Sequence, residues 1–316
     1  MKCAICNSND TINFQAKEMM YGSRATFEFR HCRCCDTVKM VSPIANMADY
    51  YPADYCSFSS KTIGPGERYK TLSGQLQLKR NAYHLIGKGC VGQLLATIKP
   101  SQEYQIYEAL RLNNRQKILD IGSGSGNLLL RLGYISGLNN FTGIDPFIEK
   151  DICHPNGIKV LKKDIFETDG EWDIVMFHHS LEHMPNPKEV LKKAFSLLKK
   201  GGLCMIAIPV CDSYAFRHYR EDWVQLDAPR HLYIYSKKSC RLLAEEAGFR
   251  LESHCDNSTY FQFTGSELYR NDIPLNNSRS ENFFSQKEIK KFAKKANELN
   301  KRGEGDQSVF YLKKPE

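Results

Sequence analysis

Lys117–Leu130, reading KILDIGSGSGNLLL, constrains this chain more than any other stretch. Ile118–Ile121 is a short apolar run that includes Asp120, and Gly122, Gly124 and Gly126 follow at every second position. Leu128–Leu132 then begins an apolar pattern at helical spacing. A strand, a glycine-rich turn and a helix in that order form a nucleotide-type site. Glycine lets the backbone approach a ligand and take positive φ without a Cβ penalty. The turn feeds a helix N-terminus, whose free N–H groups favour an anionic group. The dinucleotide fingerprint G-x-G-x-x-G needs glycine at 127, where Asn127 stands.

Four further stretches follow in order. Phe141–Asp145 (FTGID) reads as a second strand ending in an acid, twenty-five residues after Asp120. Lys162–Phe166 (KKDIF) places Asp164 in a loop, Trp172–His178 (WDIVMFH) is a fourth buried strand, and Gly202–Pro209 (GLCMIAIP) a fifth. Between the last two runs LEHMPNPKEVLKKAFSLLKKGG, a loop and a helix. Over Ile118–Pro209 the chain resembles the class I S-adenosylmethionine (SAM)-dependent methyltransferases, with Asp-x-Gly-x-Gly-x-Gly as their motif I. The resemblance implies an α/β fold, a Rossmann-like sheet of seven strands with the last antiparallel, and SAM as cofactor. It implies that Asp120, Gly122, Gly124 and Gly126 cradle SAM and that Asp145 accepts the two ribose hydroxyls. Asp164 and Ile165 would then lie at the adenine, and His178 would line the methionine moiety.

A chain of 316 residues suggests one large domain with additions, or two domains. No apolar run approaches the roughly 20 residues that span a bilayer. The start, MKCAICNSND, has no apolar signal region, so a cytoplasmic protein is expected. Net charge is +8, which raises the question of nucleic acid, but its distribution argues against that partner. Gln286–Arg302 holds seven Lys/Arg against two Glu in one predicted helix, with Ile289, Phe292, Ala293, Ala296 and Leu299 as its apolar stripe. A docked amphipathic helix with a solvated basic face is expected there.

Five of the twelve cysteines lie in the first thirty-five residues, which points to metal. Cys3-x-x-Cys6 and Cys32-x-x-Cys35 each supply two thiolates from a tight turn, and together they complete a tetrahedral Zn²⁺ site. His31 and Cys34 compete for the fourth position; pair symmetry favours Cys35. TINF and ATFEFRHC alternate like the strands of a zinc ribbon. So small a module can hardly build its own core, and metal would supply its folding energy. The expected organisation is therefore a zinc-ribbon module with an aromatic loop over 1–62 and a methyltransferase domain over 63–316. The loop carries Tyr50, Tyr51, Tyr55 and Phe58, and Gly64-Pro65-Gly66 marks the break near Ile63. Helices over 63–113, one of them spanning Ser101–Leu112, would cover the mouth of the SAM site. Val210–Tyr235 is too long for a simple connection and sits where open α/β sheets bind ligands. Segments 210–235 and 257–305 are expected to cover the substrate. Ser236 caps a helix that Gly248 ends, Phe249–Cys255 is a sixth strand and Ser308–Lys313 a seventh.

The order zinc ribbon, motif I, LEHMPNP, then W-x-x-L-x-A-P-R-H-L-Y-x-Y-S resembles bacterial methyltransferases of polysaccharide and nucleotide-sugar pathways, related to deoxysugar C-methyltransferases. The resemblance covers residues 1–256 and implies a sugar-containing small molecule as acceptor. The C-methyltransferases have a Glu-His pair after strand five, where Arg230-His231 stands here, so O- or N-methylation is the better expectation. An RNA methyltransferase with a zinc ribbon is the alternative, but no Asn-Pro-Pro-Tyr-type motif follows the fourth strand, where His178-His179-Ser180 stands. An acceptor hydroxyl must lose its proton as it attacks, and histidine, with a pKa of about 6.5, suits that task. His183 and His231 are the candidates for base and orienting group, with His179 as a third.

Overall fold

A computed structural model describes residues 2–51, 67–276 and 283–316. Tyr55, Phe58, the Gly64-Pro65-Gly66 break and part of the 257–305 segment fall outside the described residues. The chain opens with an antiparallel meander, β1 (Thr11–Lys17), β2 (Thr26–Cys32) and β3 (Val38–Met40). Alternation in TFEFRHC puts Phe27 and Phe29 inward, as period-two patterning requires, and Cys32 is buried at the end of the strand out of that phase.

Two helices follow, α1 (Leu72–Ile86) and α2 (Cys90–Ile98). Thr71 caps α1 by accepting from the Gly74 N–H, and Gly87 ends it at φ 66°. The single helix expected over Ser101–Leu112 is instead one α-turn, α3 (Gln102–Gln105), and one 3₁₀ turn (Glu108–Leu110) that Arg111 closes at φ 45°. The apolar spacing is still honoured: Tyr104, Ile106, Tyr107 and Leu110 are all buried against Ile118, Phe141 and Ile174. Spacing fixes which side chains face the core, and two short turns meet that demand as well as one helix.

The main sheet has eight strands: β4 (Ile118–Ile121), β5 (Phe141–Ile144), β6 (Ile152–Cys153), β7 (Lys159–Leu161), β8 (Trp172–His178), β9 (Leu198–Pro209), β11 (Arg250–Asp256) and β12 (Gln307–Lys313). Their spatial order is β11-β12-β9-β8-β4-β5-β7-β6. Strands β4, β5, β7, β8 and β9 are parallel, while β12 runs antiparallel between β9 and β11. This is the class I SAM methyltransferase fold, with the two-residue β6 added at one edge. Strands buried on both faces read as near-continuous apolar runs, which is why β4, β8 and β9 were legible. The order turns back at β4, between β5 and β8, and open sheets bind ligands beyond the carboxyl ends of the strands at such a point.

Helices α4 (Asn127–Ser136), α5 (Pro187–Leu197) and α7 (Lys237–Glu246) accompany the sheet. The insertion after β9 folds as α6 (Tyr214–Tyr219), two 3₁₀ turns and β10 (Tyr233–Ile234). Strand β10 pairs antiparallel with β3, Tyr233 opposite Lys39 and Ile234 opposite Val38, so the insertion supplies the fourth strand of the N-terminal sheet. One buried cluster joins Phe27, Phe29 and Val38 to Phe216, Trp223 and Phe263. Phe263 lies on α8 (Phe261–Arg270), and the basic helix α9 (Gln286–Arg302) packs beside it. Ala296 and Leu299 of α9 are buried and Phe292 stacks on Phe263 at 5.2 Å, as expected of a docked amphipathic helix.

Candidate functional site

The glycine turn between β4 and α4 shapes the first half of the site. Gly122 stands at φ 75°, and a Cβ there would lie 2.5 Å from Ser180 Cβ. Gly126 stands at φ 82°, and a Cβ there would lie 2.6 Å from Val160 Cγ2. A side chain at either position would collide with Ser180 or Val160 and would also be strained at positive φ, so only glycine lets the turn pack this closely. Gly126 is also the N-cap of α4 and brings no side-chain cap, leaving the helix N–H groups for a ligand carboxylate. Asp145, at the end of β5, accepts from Gly124 N–H through Oδ2 and from Phe147 N–H through Oδ1, both at 2.9 Å. A carboxylate oxygen has a second lone pair, so both remain able to accept ribose hydroxyls.

Asp120 is buried, and among the described residues its Oδ1 has no hydrogen-bond partner. Burial, with Asp145 nearby, pushes its carboxyl up to about 8. Asp164 caps a 3₁₀ turn (Ile165–Glu167), accepting from Phe166 N–H while Glu167 accepts from the Asp164 N–H. Its side chain is thus already engaged by the backbone. Ile165 is buried in the core, whereas Phe166 and Phe147 are 51% and 78% exposed beside Asp164 and Asp145. These two aromatics are candidate adenine walls that the motif spacing did not single out. His178, at the end of β8, stacks on Tyr107 with ring centroids 6.4 Å apart, and burial lowers its pKa to about 3.

The second half of the site is a histidine cluster. LEH forms a 3₁₀ turn (Leu181–His183) after β8, and the insertion brings His231 against it. The His183 and His231 rings lie 4.8 Å apart at 66°. His183 Nδ1 is 2.9 Å from the Arg230 carbonyl and 3.3 Å from the Tyr51 hydroxyl; His231 Nδ1 is 2.8 Å from the Gln225 carbonyl. A carbonyl only accepts, so each Nδ1 carries a hydrogen, and in the neutral ring each Nε2 keeps a lone pair. Burial and His183 lower the pKa of His231, so it is neutral at rest. His183 also faces Asp145, which links this cluster to the cofactor half of the site. His179, at φ 55°, sets Nδ1 3.5 Å from Glu182 Oε1 and keeps its side chain 37% exposed.

Arg230, expected in an acceptor pocket, is buried instead. Its guanidinium pairs with both Asp227 oxygens and with Glu18 Oε1, and donates to the Tyr50 carbonyl. Tyr51 belongs to the aromatic loop named above, while Glu18, Glu182 and Asp227 were missed by motif reading. Only Glu182 carried a local signal, its place in LEH.

The four predicted cysteines converge. Cys3 and Cys35 sulfurs are 3.6 Å apart, as are those of Cys6 and Cys32, and all four lie within 4.8 Å of one another. A tetrahedron with Zn–S bonds of about 2.3 Å has edges near ~3.8 Å, so the spacing fits Zn²⁺. Cys34 is exposed and stands outside the group.

Residues 100–254 match a family described as a methyltransferase domain. The chain carries a methyltransferase domain. Relatives include an uncharacterized protein of Methanocaldococcus jannaschii, 29% identical over 42% of this chain and 63% of that protein. A (S)-tetrahydroprotoberberine N-methyltransferase of Eschscholzia californica is 26% identical over 35% of each chain. Less than two thirds of either relative's length is matched. Among solved structures, a SAM-dependent methyltransferase of Thermotoga maritima is 18% identical, with TM-score 0.44 over 74% of this chain and 98% of that one. A mycolic acid cyclopropane synthase complexed with SAH is 16% identical, with TM-score 0.45 over 76% and 95%.

Proposed function

We propose that the protein transfers the methyl group of SAM to an oxygen or nitrogen of a sugar-containing small molecule, such as a nucleotide-sugar or polysaccharide precursor. The observation that carries this reading is the His183–His231 pair, with His183 within electrostatic reach of Asp145. Bound SAM would supply an electrophilic methyl group on a readily leaving sulfonium. Asp145 would hold its ribose and the α4 N-terminus its carboxylate. One of the two histidines takes the acceptor proton as the new bond forms, and the other orients the acceptor; His179 is the third candidate. Positioning alone contributes much of the rate in such an in-line displacement. The named N-methyltransferase among the relatives supports a small-molecule acceptor and keeps nitrogen beside oxygen as the methylated atom.

We further propose that Cys3, Cys6, Cys32 and Cys35 hold one Zn²⁺ in a closed, structural role, since four thiolates leave no open coordination position. Among the described residues no helix is long and apolar enough to cross a membrane.

Methyl-labelled SAM, supplied with the protein to a nucleotide-sugar pool and to tRNA and rRNA, tests the acceptor class. Label should enter the sugar fraction. Label in RNA alone would overturn the reading.

A further inference from the structure

Glu182 is fully buried, and among the described residues neither of its carboxylate oxygens has a hydrogen-bond partner. A buried ion left uncompensated is strongly unfavourable, so positive charge must be available next to it. The other carboxylates near the site are already answered. Asp227 and Glu18 share Arg230, and Asp145 accepts two backbone N–H groups. Three imidazoles surround Glu182 instead. His179 Nδ1 is 3.5 Å away, and one ring nitrogen each of His183 and His231 lies within 4.8 Å of a Glu182 oxygen. Tyr51, Tyr235 and Cys240 also face it, and burial pushes each of these up, so they stay neutral. Protonated histidine is thus the one cation that the described surroundings of Glu182 can provide.

We propose that Glu182 is a positioning residue whose buried charge holds the acceptor's proton on the His183–His231 pair during methyl transfer. The inference rests on the histidine-assisted reading above. In that step the acceptor atom forms its bond to the methyl carbon, and the carbon–sulfur electron pair returns to sulfur. The acceptor proton passes to an imidazole Nε2 and later leaves to solvent. Two rings 4.8 Å apart repel a second proton, so the pair accepts one. Asp227 lies 3.9 Å from His231 Nε2 and also favours the charged ring, but it shares its charge with Arg230, whereas Glu182 meets only imidazoles as possible cations among the described residues.

Burial alone would raise the Glu182 carboxyl, yet His179, His183 and His231, when they carry the proton, hold it down at about 2. Reciprocally, Asp227 and, after it, Glu182 raise the basicity of His231 against the lowering effects of burial and of His183. Removing the charge should weaken the base.

The test is Glu182→Gln, followed by NMR titration of the histidine rings and by the pH profile of kcat. The His231 titration should move down by about one pH unit, as expected for losing a charge a few ångströms away. The acid limb of kcat should move with it and the plateau fall by roughly tenfold or more. SAM affinity should stay within about twofold, and Glu182→Asp should lie between the two proteins. Should Glu182→Gln not fold, the same titration on Glu182→Asp carries the test. Unshifted histidine titrations in a variant that binds SAM would overturn the inference and leave methyl transfer itself standing. A divalent metal bound in one equivalent beyond the cysteine site, and lost in Glu182→Gln, would overturn it as well. Because the titration needs no acceptor, a shifted ring in a protein inactive on sugars would count against the acceptor class alone.

Discussion

Asp145 and Asp120 sit on neighbouring strands and face opposite demands. Asp145 is tied to two backbone N–H groups and should also hold the ribose through charge-assisted hydrogen bonds of about 1.5–3 kcal/mol each. Asp145→Ala should therefore weaken SAM binding at least tenfold by calorimetry, since about 1.4 kcal/mol is a factor of ten. Unchanged affinity would move the ribose elsewhere. Asp120 has an oxygen unpartnered among the described residues and a folded-state carboxyl raised to about 8, against an ordinary value of 3.8. The folded chain thus keeps a proton that the unfolded chain releases, and stability falls as pH rises through that window. Asp120→Asn abolishes this loss. Without SAM, its melting temperature should gain on wild type progressively from about pH 5 to about pH 8. A pH-independent difference would contradict the raised carboxyl. The glycines around these acids were readable because alternate glycines after an apolar strand have few other uses. The role of Asp164 was harder to read. DIFE is an acid followed by Glu three residues later, a capping signature, and in the fold its side chain serves the backbone of its own turn.

At the scale of elements, the N-terminal sheet and the insertion after β9 hold each other. Strand β10 begins two residues after His231 and pairs with β3; Met40 N–H donates to the Leu232 carbonyl, and Ser236 Oγ donates to the Cys35 carbonyl. Arg230 reaches Glu18 across the same seam. A metal at the cysteine turns would therefore steady the segment that carries His231. Cys3→Ser, or chelation, should release the single Zn²⁺ and lower kcat by about 10–100-fold, the scale of a misplacement near 1 Å, while SAM affinity changes little. Cys34→Ser should keep its metal by elemental analysis. Zinc lost in the Cys34 variant alone would overturn the ligand set. None of this coupling was legible beforehand. A two-residue strand has no periodicity of its own, and its partner lies nearly two hundred residues earlier in the chain. The cysteine turns, by contrast, announced themselves because ligand spacing is a local property of sequence.

Across the whole molecule, the main sheet divides the labour. Its β4–β5 edge presents the glycine cradle and acids, and the turn after β8 meets the insertion to bring the histidines together. The parallel strands were foreseeable from their apolar runs, and the antiparallel β12 from the resemblance that named the fold. The meeting of His183 with His231 depends on long-range packing, so the sequence offered two candidates without their 4.8 Å pairing. The excess positive charge is set apart on α9, whose apolar stripe docks against α8. Histidine-assisted methyl transfer is tested most directly by single-turnover kinetics of His183→Gln and His231→Gln with labelled SAM and the accepted sugar substrate. At least one variant should lose about 10²-fold in the transfer rate, the usual contribution of a general base, with SAM affinity nearly intact. Wild-type rates in both variants would contradict a base at either position.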